Sequence, residues 1–168
     1  MVALRDTLAK LAAQQAAADE YERSKPRLIE ELQQNFEILV AMVTEGLDEF
    51  VKSGQLGLIR RENSVEKPSL GSFQARALTI RIIDREITLT PLSGDFVGVY
   101  AVAEFHLKES HNKAEVCLIK DPKNAEKLQW CEKTSPSGPV GRGPDINRLQ
   151  FKPLTPQSIE GIIDRMLQ

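Results

Sequence analysis

The stretch PRLIEELQQNFEILVAMVTEGLDEFVK, residues 26–52, decides the fold. At about 100° per residue, Leu28, Ile29, Leu32, Phe36, Leu39, Val40, Val43, Leu47, Phe50 and Val51 fall within one arc, and Glu30, Glu31, Glu37, Glu45, Asp48 and Glu49 lie behind them. That stripe is wider than the two-position seam of a coiled coil, so the helix it predicts packs on a sheet. Ile38 and Met42 break the polar back and mark docking points for another helix. Gly46 sits within the stripe, where it either permits close approach or leaves a gap.

Upstream, residues 2–23 read as a further helix with Leu4, Leu8 and Leu11 on a narrow seam that continues as Gln15, Ala18 and Glu22. Its Ala-rich middle has high helix propensity but little surface to bury, so it needs a neighbour, from this chain or another. Ser24-Lys25-Pro26 predicts a junction, because proline lacks an N–H and disfavours helical angles at Lys25. Against a break stand Asp19, Glu20 and Glu22, which a helix ending here would place at its negative pole. The expected organisation is a helical arm over residues 1–25 and one α+β domain over 26–168.

After Ser53-Gly54 the hydrophobic period changes to two. Strands are predicted at Leu56–Arg60, Phe73–Ile83, Glu86–Pro91, Phe96–Leu107, Ala114–Lys120, Lys127–Glu132 and Asn147–Lys152, and the short connections favour an antiparallel meander. Ile82 opposite Ile87 and Ile80 opposite Leu89 would close the second hairpin at Asp84-Arg85. Phe96–Leu107 is apolar on both faces, as a strand covered on both sides would be. Phe105, Val116, Leu118, Leu128 and Trp130 can share the core face. Thr155-Pro156 predicts a capped C-terminal helix with Ile159, Ile162, Ile163, Met166 and Leu167 inward. The fold class is therefore α+β, with six or seven antiparallel strands, a long N-terminal amphipathic helix and a short C-terminal helix.

Composition bounds the function. With 168 residues, 41% hydrophobic and 27% charged, the chain can bury its own core. The net charge of −2 implies neither membrane nor nucleic acid. Charge is uneven: residues 1–53 hold six Lys/Arg against ten Asp/Glu, the rest sixteen against fourteen. No apolar run reaches the roughly 20 residues of a membrane span, and Arg5, Asp6 and Lys10 interrupt any signal-like segment. Two cysteines, Cys117 and Cys131, suit reduced thiols in a cytoplasmic protein.

Chemical motifs are sparse. The loop over residues 134–146 carries Gly138, Gly141, Arg142 and Gly143, whose backbone could converge on an anion, but no P-loop Lys-Ser or Lys-Thr follows. Glu104, His106, Cys117 and Cys131 could share neighbouring strand positions, yet no zinc spacing accompanies them and no metal or cofactor is expected. A cysteine nucleophile would have only His106 or His111 as base, and no catalytic frame surrounds either. Arg76, Arg81 and Arg85 form a candidate basic face without the aromatics that single-stranded nucleic acid requires. The expectation is a non-catalytic binding or assembly protein that self-associates through Leu4, Leu8, Leu11, Ile38 and Met42. The alternatives are a ligand-binding or enzymatic pocket between sheet and helix near Gly46, Gly98, Tyr100 and Trp130, and a nucleic-acid module on the arginine face.

Overall fold

A computed structural model of the protein describes residues 2–121, 123–134 and 150–168. The chain runs from one helix, α1 (Val2–Lys52), into seven strands and a closing helix, α2 (Pro156–Leu167). The strands are β1 (Gly57–Lys67), β2 (Gly71–Ile82), β3 (Arg85–Pro91), β4 (Ala101–Leu107), β5 (Lys113–Asp121), β6 (Asn124–Thr134) and β7 (Gln150–Pro153). They form one sheet in the order β1-β2-β3-β4-β5-β6-β7, antiparallel throughout. The expected α+β meander is the observed fold.

The two predicted N-terminal helices are one. α1 continues through Pro26 for 51 residues, about 76 Å at 1.5 Å per residue. Proline forfeits one backbone hydrogen bond, and contacts on the preceding turn offset the loss. The Ser24 hydroxyl donates to the Tyr21 carbonyl at 2.8 Å, Lys25 pairs with Glu22 at 2.8 Å, and the Tyr21 phenol donates to the Ser69 carbonyl in the β1–β2 turn. Continuity also removes the dipole conflict, because Asp19, Glu20 and Glu22 are no longer at a helix terminus.

The wide stripe does what its width requires. Leu32, Phe36, Leu39, Val40, Val43 and Leu47 are buried in a single core with Leu78, Ile80, Ile87, Leu89, Phe105, Val116, Leu118 and Trp130. The Phe36 and Trp130 rings lie 5.5 Å apart, and the indole N–H donates to the Asn35 carbonyl at 2.9 Å, so a polar atom that would otherwise be stranded is satisfied. α2 closes the core with Ile159, Ile162, Ile163 and Met166. Thr155 and Ser158 cap it reciprocally, each side chain engaging the other's backbone N–H.

Four local expectations are corrected. β1 extends to Lys67 rather than Arg60, because every residue from Gly57 onward finds a partner in β2 even where the sequence is polar. The β2–β3 hairpin pairs Ile80 with Ile87 and Leu78 with Leu89, a slip of two residues that leaves the same side chains on the same face. Its loop is Ile83-Asp84, with Ile83 at φ 56°. The strand predicted from Phe96 begins at Ala101, since Gly98 (φ 74°) and the Phe96–Val99 bridge turn the preceding residues back on themselves. Phe96, Val97 and Tyr100 are accordingly exposed rather than sheet-bound. Leu128, expected in the core, lies at its margin and is partly exposed.

Beyond β3, residues 71–77 of β2 pair with β1 alone. Val65, Phe73 and Ala75 lie on the opposite face of this ribbon from Leu78 and Ile80, yet all five belong to one core. The strong right-handed twist of a two-stranded ribbon accounts for this, turning its second face inward toward α1. Gln33 and Glu37 of α1 hold that end, through the Gln74 carbonyl (2.9 Å) and Arg76 (2.8 Å).

α1 and α2 cross at Gly46, where a Cβ would stand 2.6 Å from the Pro156 carbonyl oxygen and 3.2 Å from the Ile159 Cβ. The glycine is there for close approach, not to leave a gap. Gly161, also helical, has nothing within 4 Å of a Cβ. The same substitution should therefore have opposite signs at the two sites in urea unfolding. Gly161→Ala should stabilise by up to about 1 kcal/mol through helix propensity. Gly46→Ala should destabilise by about 1–3 kcal/mol, because overpacking outweighs that gain.

Candidate interaction surfaces

The N-terminal part of α1 lies clear of the sheet. Every residue from Ala3 to Arg23 is exposed, including Leu4 (65%), Leu8 (56%) and Leu11 (55%). Leu4 precedes Val40, and Leu11 precedes Leu47, by 36 residues in each case, which is about ten turns at 3.6 residues per turn. The exposed leucine seam is thus the core-facing stripe of α1 prolonged past the end of the sheet. On the same helical projection Arg5 flanks the seam, and Asp6 and Lys10 lie on the rear half of the helix. Ile38 is 54% exposed on the outer side of α1, whereas Met42 is half-buried against the core. Arm and back face are not in contact within one chain, because the continuous helix leaves no fold-back.

At the far end of α1, a groove of 910 Å³ opens between the last turns of that helix, α2 and the β2–β3 loop. Leu47, Phe50, Ile163 and Leu167 contribute its apolar walls, while Glu160 and Asp164 stand exposed on its rim. Ile83 projects there at 98% exposure. A β-branched residue in the left-handed region is sterically disfavoured, so this is an apolar side chain presented at a cost. The reading of residue types missed this groove. The signals were an isoleucine inside a two-residue turn and a glycine, Gly161, on the outer face of a short helix.

The proposed pocket residues are not brought together. Trp130 is buried under Phe36, and Gly46 is closed by α2. Gly98 lies in a 540 Å³ depression with Ile119 and Phe151. Tyr100 borders that depression and also a 320 Å³ cleft beside Tyr21, Leu28, Asp95 and Leu128. In that cleft the Ser69 hydroxyl and N–H both donate to Asp95, at 2.8 and 2.9 Å. With Lys67 adding opposite charge, they hold its carboxyl below the ordinary carboxylate range.

The three arginines are dispersed as well. Arg76 and Arg81 are five residues apart on β2, so they leave opposite faces. Arg76 pairs with Glu37, Arg81 with Glu86 at 3.3 Å, and Arg85 donates to the Leu167 carbonyl. A polar cleft of 670 Å³ holds Glu104, Glu115 and Glu132, but Lys113, Lys133 and Arg165 respectively neutralise them. The loop glycines Gly138, Gly141 and Gly143, with Arg142, lie outside the described residues.

Cys117 and Cys131 are direct cross-strand partners in β5 and β6, both buried and both free. Glu104 instead faces Glu115, and the His106 Nε2 is 2.8 Å from the Ser110 carbonyl. Among the described residues no group of three or more metal-ligand side chains converges, and no helix is long and apolar enough to cross a membrane. Comparisons with protein-family models, curated proteins and solved structures find no match for this chain.

Burial, with Glu115 adding like charge, pushes the Cys117 thiol up from 9.0 to about 11, and burial likewise raises Cys131. Below pH 9 that shift leaves roughly 100-fold less thiolate on Cys117 than on an exposed cysteine, and the thiolate is the reactive form. Native protein at pH 8 should therefore react with a disulfide reagent at least ~100-fold more slowly at Cys117 than urea-unfolded protein. Rapid native labelling would show that the thiol is accessible and activated.

Proposed function

We propose that this chain is a non-catalytic, cytosolic assembly protein that self-associates through the N-terminal arm of α1. The observation that carries the reading is the arm itself: some twenty consecutive exposed residues, continuous with a buried helix, bearing Leu4 and Leu11 in register with the core stripe and Leu8 beside them. An exposed apolar seam held on such a helix is a docking face. The uncharged back-face residue Ile38 offers a secondary contact. Catalysis has less support, since the carboxylates of the polar cleft are neutralised in pairs and both thiols are buried and deactivated.

Native mass spectrometry of the full chain should give a multiple of the 18.8 kDa chain mass. Deleting residues 1–20, which leaves Tyr21 and its bond to Ser69 in place, should reduce this to the monomer. Residues 3–20 are exposed throughout, so urea unfolding of the deleted protein should match that of the full-length monomer within about 0.5 kcal/mol. A full-length chain that remains monomeric would overturn the proposal.

A further inference from the structure

We infer that the receptor for the arm is the groove between the C-terminal turns of α1, α2 and the β2–β3 loop, on a second copy of this chain. The inference rests on the self-association reading above and adds the surface that receives the arm. Three observations select the occupant. The first is reach: Leu8 and Leu47 belong to one uninterrupted helix and stand 39 residues, about 58 Å, apart along its axis, so an arm can fill this groove only in trans. The second is chemistry. The groove is walled by Leu47, Phe50, Ile163 and Leu167, and carries Glu160 and Asp164 on one rim. The arm presents Leu4, Leu8 and Leu11 with Arg5 beside them on one flank, while Asp6 and Lys10 are turned away. An apolar seam with a cation on one flank matches an apolar trough with two carboxylates on one rim, which is the helix-in-groove mode of recognition.

The third is Ile83. It is held at φ 56° with 98% of its surface exposed, at the lip of the same groove. A leucine-bearing helix laid in the groove would cover it. Each copy has one arm and one groove at opposite ends of α1, so mutual exchange closes a two-fold dimer with the two long helices antiparallel. One-way exchange would instead propagate without closing.

The test uses full-length chains with single cysteines added. Gly161 has open space at its Cβ position and Leu8 is exposed, so Leu8→Cys and Gly161→Cys should both be tolerated, and the native thiols are buried. Mixing the two variants under mild oxidation should yield a disulfide-linked pair, with peptide mapping joining the N-terminal segment to α2. Glu160→Lys with Asp164→Lys should weaken dimerisation about tenfold, as should Arg5→Glu, and mixing the two reversed chains should restore it. Ile83→Gly should act in opposite directions on two readouts, raising monomer stability by relieving the left-handed backbone and weakening the dimer. If Leu8→Cys cross-links with itself and not with Gly161→Cys, the arms pair with each other; the groove assignment falls and self-association stands. A dimer with neither cross-link and no response to charge reversal also overturns the groove. A chain that is monomeric throughout overturns both.

Discussion

Everything in this fold depends on one burial event: the stripe from Leu32 to Leu47 pressed between a single-layered sheet and α2. The sheet is a plain meander with no second layer among the described residues, so its inner face has only these two helices to remove it from water. Six α1 side chains are nearly or fully inaccessible, and at about 1.5–3 kcal/mol each their burial is of the order of the whole net stability of a domain. The Trp130 indole bonded to the Asn35 carbonyl fixes the helix axially, because a shift by one turn would leave that N–H without its acceptor.

The same event explains why Pro26 does not break α1. A proline costs about 3 kcal/mol in a helix interior, and Pro26 sits just before the buried stripe begins at Leu32. On the other side, Tyr21 ties the helix to the β1–β2 turn. Residues on both flanks are therefore held by the body, and the helical path between them is over-determined. Local rules of termination predict a boundary where tertiary contacts leave none. Ahead of Tyr21 residues 3–20 are all exposed, and the helix begun by the core is carried outward.

Legibility in the sequence follows the strength of local periodicity. The α1 stripe, the α2 cap and the succession of antiparallel hairpins could be read directly, because 3.6- and 2-residue periods report burial on one face, whereas they do not fix the order of strands in the sheet. The β1 extension could not, since Arg60 to Ser64 is polar and its strand character comes only from partners in β2. Phe96 to Tyr100 misled for the opposite reason: apolar residues alternate there, but Gly98 at φ 74° makes a turn that periodicity does not see. The Leu4, Leu8 and Leu11 seam was legible as a surface in want of a partner. The acid-rimmed groove was not, because Glu160, Asp164, Ile83 and Phe50 are scattered in sequence and converge only in the fold.

That asymmetry bears on how such a chain can carry a function. The carboxylates of the polar cleft, Glu104, Glu115 and Glu132, are paired with cations, and both thiols are buried. What the chain does expose to water is apolar surface, in two places at opposite ends of one continuous helix. A helix of about 76 Å keeps those places far apart and fixes their relative orientation, which a flexible linker would not. That continuity adds no burial among the described residues of the monomer, where residues 3–23 are exposed. Its physical consequence is preorganisation: the entropy of ordering the arm is met during folding, so a partner that covers the seam gains the full benefit of the apolar contact.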